Sequence, residues 1–194
     1  DYIKYRPGYP DEIIQILEQG ILLENTKVVA DIGSGTGLSA LPFLKKQYKV
    51  LGVEPNKEMR EAAAQLLSDY PNFKSVNGTA ESTNLESDSV DLVFCGQAFH
   101  WFDKVKCKSE FDMILKDSGN IVLVWNSRST KSDFQKAYES ALYDHVDEYK
   151  YVNHRNIDEA EISAFFLPKP MYKLCLENKQ LFDLPGLKGR LKSS

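Results

Sequence analysis

The chain has little of what a metal site or a disulfide framework needs. Its cysteines, Cys95, Cys107 and Cys175, are odd in number and show no C-x-x-C spacing, which argues against both a set of disulfides and a zinc site. Histidine is as sparse: His100, His145 and His154 have no metal-ligand spacing, so no metal is implied. No stretch approaches the roughly 20 apolar residues that a membrane-spanning helix requires. The opening "DYIKYRPGYP" has neither the basic head nor the apolar middle of a signal peptide, and a cytoplasmic protein is expected. With a net charge of −4 and interspersed charges there is no basic stripe to hold nucleic acid. The small cluster of Lys188, Arg190 and Lys192 reads as a solvated tail.

What the chain does have is strand and helix in alternation, with no internal repeat and no low-complexity linker. Its 194 residues, 42% hydrophobic and 27% charged, suit one well-cored soluble domain. Asp11–Gln19 carries Ile13, Ile14, Ile16 and Leu17 at helical spacing before Gly20. Lys27–Ile32 is a first strand, Leu38–Lys46 the helix after it, Lys49–Val53 a second strand, and the alanine-rich Lys57–Ser68 a second crossover helix. Pro71–Val76 gives a short third strand and Val90–Cys95 a fourth. Val105–Leu115 is a helix, and "SGNIVLVWN" is a fifth strand entered through the Ser118-Gly119 turn. Further on, Ser132–Asp147 and Glu159–Phe166 read as helices, "MYKLCLENKQLFD" as a strand and "LPGLKGRLKSS" as a Gly/Pro/Lys end. Continuous apolar strands separated by helices predict a doubly wound α/β fold with a mostly parallel sheet. Such sheets bind ligands beyond the carboxyl ends of their strands.

Three of those strand ends carry polar or glycine-rich sequence. In "VVADIGSGTGLSA" Gly33, Gly35 and Gly37 alternate behind Asp31. Glycines let a chain turn tightly and let a ligand approach without a Cβ in the way. A helix starting near Thr36 would offer unpaired N–H groups to an anion, although an ordinary strand-to-helix turn also accounts for the loop. The dinucleotide pattern G-x-G-x-x-G is not met, because residue 38 is Leu. Asp31 would be repelled by a pyrophosphate but can accept hydrogen bonds from an ammonium group, directly or through water. Glu54, at the tip of strand two, is placed to accept from two adjacent ribose hydroxyls, a job that NAD-binding sites share. After strand three, Gly78, Thr79, Ala80 and Glu81 stand where an adenine could lie, in a loop whose composition is common to loops generally.

Together these features resemble the class I S-adenosylmethionine-dependent methyltransferases. "ADIGSGTG" looks like their first motif, "GVEPNKEM" the acidic second, "GTAESTNLESDSVDLVF" the adenine loop leading into strand four, and "LKDSGNIVLVWN" the strand-five turn. More narrowly, "YIKYRPGYP", "AFHWFD" and "LFDLPGLKGRLKSS" resemble the type 11 branch that includes relatives of trans-aconitate methyltransferase. The resemblance implies S-adenosylmethionine as cofactor, S-adenosylhomocysteine as product and a Rossmann-like sheet of the seven-stranded type. It implies that Gly33, Gly35 and Gly37 pass under the methionine part, with Asp31 and Thr36 beside them. Glu54 would hold the ribose, with Pro55 and Met59 following it. Thr79, Ala80 and Glu81 would flank the adenine, Gln97 and Ala98 would end strand four beside the cofactor, and Tyr5 and Arg6 would close over it. The family's sheet normally finishes with a further helix and strand, so the chain is expected to be a portion lacking its C-terminal strand and trimmed at "DYIKY". One methyltransferase domain over 1–194 is expected, with a lid and helix in 1–26 and a cofactor-binding core in 27–127. A cap or substrate region would occupy 128–170, and a strand and tail 171–194.

Methyl transfer from a sulfonium is an in-line displacement, in which a protein aligns the partners, excludes water and removes a proton where the acceptor has one. "GQAFHWFD" suits the acceptor side: Phe99, His100, Trp101 and Phe102 make an apolar wall with one titratable group. His100 is the candidate general base, or else a residue that shapes the loop. Trp101 either offers its face to the sulfonium or substrate or packs against the lid. Arg128 and Arg155 could pair with an acidic substrate or with surface carboxylates. Tyr138, Tyr143, Tyr149 and Tyr151 could line a small-molecule pocket. The expected partner is a small-molecule acceptor, with neither nucleic acid nor membrane, and no oligomeric state is assigned. Two other functions compete: a methyltransferase-like domain that binds cofactor or a partner without turnover, and an NAD-dependent oxidoreductase.

Overall fold

The computed structural model describes residues 8–10, 12–20, 23, 27–145 and 159–192. They divide between Val124 and Trp125 into two compact units.

The unit Gly8–Val124 is built on a five-stranded parallel sheet. Its strands are β1 (Val28–Ile32), β2 (Lys49–Val53), β3 (Phe73–Val76), β4 (Val90–Gly96) and β5 (Leu115–Val124), in the order β3-β2-β1-β4-β5. Beside them run α1 (Glu12–Gln19), α2 (Leu41–Lys45), α3 (Lys57–Leu66) and α4 (Lys104–Ile114). β1, β2 and β4 are buried along almost their whole length, which is why each reads as an unbroken apolar run. The order of strands reverses at β1, whose neighbours are β2 and β4, so the switch point lies at the carboxyl end of β1.

One core joins Val29, Val50, Leu92 and Phe94 of the sheet to Phe43 and Leu44 of α2, and Ile13, Ile14 and Leu17 of α1 pack into it. Phe94 meets Phe43 edge-on at 5.0 Å and Tyr9 at 6.0 Å between ring centroids. Truncating such a fully buried phenylalanine costs about 3–5 kcal/mol.

Several boundaries differ from the sequence expectation, each for a local reason. The helix after the glycines begins at Leu41, not Leu38. Gly33, Gly35 and Gly37 all have positive φ, so the chain cannot settle into a right-handed helix until it has passed them. α2 is therefore only five residues long, and the helix N-terminus expected near Thr36 does not exist. It ends in a Schellman motif, with Tyr48 N–H donating to Phe43 O at 3.1 Å and Gln47 N–H to Leu44 O at 3.0 Å. Tyr48 then packs edge-on against Phe43, and Gln47 takes the left-handed position usually given to glycine. β5 starts at Leu115, directly after α4. Val90 pairs Leu115 while Leu92 pairs Asn120, so the expected Ser118-Gly119 turn is absorbed as an irregularity within the strand. Lys116 Nζ, inside that excursion, lies 2.7 Å from Asp91 Oδ1, and Asp91 Oδ2 accepts the N–H groups of Lys27 and Val28.

In the unit that begins at Trp125, α5 (Asp133–His145) opens on a capping box: Gln135 N–H donates to Ser132 Oγ at 3.2 Å and Ser132 N–H to Gln135 Oε1 at 3.0 Å. α6 (Glu159–Phe166) buries Phe165. "MYKLCLENKQLFD" does not form the expected strand: residues 171–183 have no regular structure, and Tyr172, Leu174 and Leu181 are exposed. A strand needs a partner for its N–H and C=O groups, and the described residues of this unit contain no other strand. The tail expected after it is instead a helix, α7 (Leu184–Lys192). Pro185 falls in its first turn, where a missing N–H costs nothing, and Asp183 caps it by accepting from Gly186 N–H at 2.8 Å.

Candidate functional site

Asp31 stands near the carboxyl end of β1 and is fully buried. Ser39 Oγ donates to its Oδ2 at 2.6 Å, while Oδ1 has no hydrogen-bond partner. Burial pushes the carboxyl up to about 7; the Ser39 bond pulls it back and the nearby charge of Glu54 raises it further. A buried acceptor without a donor is costly by itself, and a cationic donor at that point would return the group to its ionised form.

The glycine turn folds over this end of the strand. Gly33 and Ser34 N–H both donate to Val53 O, at 2.9 and 3.1 Å, which ties the turn to β2. A Cβ on Gly33 would lie 2.6 Å from Ala98 Cβ and 3.4 Å from the Phe102 ring, so the turns after β1 and β4 lie against each other. Met59 of α3 stands beside Gly35. Thr36 is half-buried in the same turn.

At the tip of β2 the Glu54 carboxylate is fixed on both sides. Gly35 N–H donates to Oε2 at 3.0 Å and Asn56 N–H to Oε1 at 2.9 Å. Each oxygen keeps a further lone pair for a ligand hydroxyl. Glu54 is 8% exposed, Pro55 after it is exposed, and Arg60 braces the turn by donating to the carbonyls of Glu54 and Pro55. Asn56 then caps α3 by accepting from Met59 N–H at 3.0 Å.

The loop after β3 closes on itself, Thr79 N–H donating to Ser82 O at 3.0 Å and Ser82 N–H to Thr79 O at 3.3 Å. Thr79 is exposed and Ala80 buried. The Glu81 carboxylate reaches out of the loop to accept Asp103 N–H at 2.9 Å. After β4, Gln97 has φ 59° and donates its N–H to Val124 O at 2.9 Å, and Ala98 leads into a 3-10 turn, Phe99–Trp101. His100 is half-buried with its ring centroid 4.8 Å from that of Trp101, which is 66% exposed.

Asp31, Gly33, Gly35, Thr36, Gly37, Glu54, Met59 and Ala98 are thus drawn to one end of the sheet, with the 79–82 loop and the 97–102 turn beside them. Tyr5 and Arg6, expected over the site, lie outside the described residues, as do Tyr149, Tyr151, His154 and Arg155. Arg128, considered for an acidic substrate, is 3.8 Å from Glu139 and stacks over Tyr138 at 5.4 Å.

Residues 30–123 match the family model described as a methyltransferase domain, of type 11. Those residues belong to the type 11 methyltransferase domain family. An uncharacterised methyltransferase of Schizosaccharomyces pombe is 34% identical over 129 residues, covering 66% of this chain and 50% of that protein. One of Mycobacterium tuberculosis is 34% identical over 130 residues, covering 67% and 51%. The solved structure of the YcgJ protein of Bacillus subtilis superposes with a TM-score of 0.56 at 27% identity, covering 76% of this chain and 64% of that one. The chain spans about half the length of the curated relatives it matches.

Two residues at this end of the sheet carry no expectation from the sequence. Ser39, the donor to Asp31, was hidden inside an expected helix, although a polar residue between Leu38 and Ala40 was a signal. Tyr9 places its hydroxyl against Gly96, so a Cβ at residue 96 would collide with it and would also crowd Ser39 Cβ. Its signal was only the "PGYP" turn before α1. Among the described residues no group of three metal-ligating side chains occurs, and no helix is long and apolar enough to cross a membrane. The thiols of Cys95 and Cys107 are buried and pushed upward by that burial, Cys107 to about 12, which makes them poor nucleophiles.

Proposed function

We propose that the chain binds S-adenosylmethionine at the carboxyl ends of β1 to β4 and serves in methyl transfer to a small-molecule acceptor. The observation that carries this is the buried Asp31, whose Oδ1 lacks a donor beside three left-handed glycines. A carboxylate of that kind fits the α-ammonium of the cofactor's amino-acid part, directly or through water, and glycine backbone fits close approach. Glu54, already oriented by Gly35 and Asn56, fits the pair of ribose hydroxyls. Thr79, Ala80 and Glu81 would lie along the adenine, with Gln97 and Ala98 beside the reacting end.

When bound, the sulfonium supplies an activated methyl group. The chain's own work is to orient it, to exclude water and to receive a proton. Phe99, Trp101 and Phe102 provide the apolar surface, and His100 carries an imidazole suited to accept a proton near neutral pH. A nicotinamide dinucleotide is disfavoured by the buried acid at β1 and by Leu38 where its fingerprint has glycine.

Calorimetry with S-adenosylhomocysteine and with NADH decides between these cofactors. Binding of the first supports the proposal, and binding of NADH alone overturns it. A screen of carboxylic acids, phenols and amines with labelled methyl donor then finds the acceptor. Cofactor binding with no transfer across that screen would favour a non-catalytic domain.

A further inference from the structure

The carboxylate of Glu81 leaves its own loop to hold a backbone amide far along the chain. Asp103, whose N–H it accepts, is the N-cap of α4, its Oδ1 taking the N–H groups of Val105 and Lys106, each at 3.1 Å. Asp103 is also the residue through which the 3-10 turn bearing His100 and Trp101 passes into that helix. Partial burial works to raise the Glu81 carboxyl, and the Asp103 amide outweighs it, so the group is held below the usual glutamate range.

A second carboxylate fixes the far end of the loop. Glu110 Oε1 in α4 accepts both Thr83 N–H at 2.7 Å and Thr83 Oγ1 at 2.6 Å, and Thr83 is fully buried. With residue 83 pinned to the body of α4, a displacement of the loop is confined to 79–82, where Thr79 and Glu81 sit. Asp103 is exposed, so water would satisfy its N–H at little cost without Glu81. Satisfying that amide therefore leaves the Glu81 bond unexplained; fixing the position of the 99–103 segment explains it.

We propose that Glu81 is a positioning residue that links cofactor occupancy at the 79–82 loop to the placement of the acceptor-side segment Phe99–Asp103. The link runs from the 79–82 loop, closed by the Thr79 and Ser82 backbone pair, through the Glu81 carboxylate to the Asp103 amide, and it rests on the assignment of this loop to the cofactor. A ligand edge that engages Thr79 or the loop backbone shifts the carboxylate, and the carboxylate carries the first turn of α4 and the preceding His100 and Trp101 with it.

The chain has two tryptophans, so Trp125→Phe leaves Trp101 as its one indole reporter. In that background S-adenosylhomocysteine is titrated by calorimetry and by Trp101 emission, with the Asp103 amide followed by hydrogen exchange. Glu81→Ala should reduce the Trp101 response at saturation at least fourfold and speed Asp103 exchange at least tenfold in the free protein. Glu81→Gln, which keeps an acceptor oxygen, should retain more than half of the response. In the parent itself, saturating S-adenosylhomocysteine should slow Asp103 exchange at least threefold, a measurement that does not depend on how well the alanine variant folds. Saturable binding with a parental Trp101 response in Glu81→Ala, or with Asp103 exchange unchanged in the parent, overturns the link alone. Failure of the parent to bind S-adenosylhomocysteine overturns the cofactor assignment, and the link with it.

Discussion

Ser39 gives its hydroxyl hydrogen to Oδ2 of Asp31 at 2.6 Å, with both side chains buried at the switch point of the sheet. The bond offsets only part of the cost of burying the acid, whose carboxyl stays at about 7 against an ordinary 3.8. Between those values the folded protein keeps a proton that the unfolded chain has lost. Stability therefore falls as pH rises through the window and levels off above about 7. Asp31→Asn removes this penalty and should be the more stable protein at pH 8, by on the order of 4 kcal/mol. The gap should close toward pH 4 in urea melts. S-adenosylhomocysteine, bringing an ammonium, should bind more tightly as pH rises toward 7, and Asp31→Asn should lose both affinity and that pH dependence.

Glu54 has its two oxygens held by Gly35 and Asn56, so its orientation precedes any ligand. Glu54→Gln must turn an NH2 group toward one of those donors and removes the charge. Bonds to a charged acceptor contribute about 1.5–3 kcal/mol, and affinity for S-adenosylhomocysteine should drop about 10- to 100-fold by calorimetry. A Glu54→Ala variant that binds like the parent would remove Glu54 from the ribose.

Gly33→Ala meets two obstacles, a φ of +71° and the Cβ of Ala98 at 2.6 Å. Left-handed strain and overpacking each cost about 1–3 kcal/mol. Adding Ala98→Gly should recover the packing part and leave the strain, which denaturant unfolding of the single and double variants would separate.

Gln47 occupies the left-handed C′ position after α2 and is exposed. Gln47→Gly relieves the Cβ penalty there and should stabilise the protein by about 0.5–1 kcal/mol. An unchanged or lower denaturation midpoint would contradict the strained turn.

His100→Ala should leave binding of S-adenosylhomocysteine near parental. With an identified acceptor that carries a proton, it should lower kcat about 10²- to 10⁴-fold. Loss of binding instead would mean that His100 shapes the turn.

The sequence alone carried the alternation of strands and helices, because β1, β2 and β4 are covered on both faces and must be apolar throughout. It also carried the strand-end positions of Asp31, Gly33, Gly35, Gly37 and Glu54, since a buried strand that breaks at glycine or ends on an acid shows in the chain itself. Local chemistry misled where a single residue type served two purposes. The glycines announced a turn but not how far it would delay the helix, and the alternation in residues 171–183 looked like a strand because pattern cannot show whether a partner is present. Only the tertiary structure decided which donors meet each carboxylate. Ser39 on Asp31, Gly35 on Glu54 and Asp103 on Glu81 join residues 8, 19 and 22 apart in the chain. A hydrogen bond depends on where the folded backbone places its donor, and residue order does not record that.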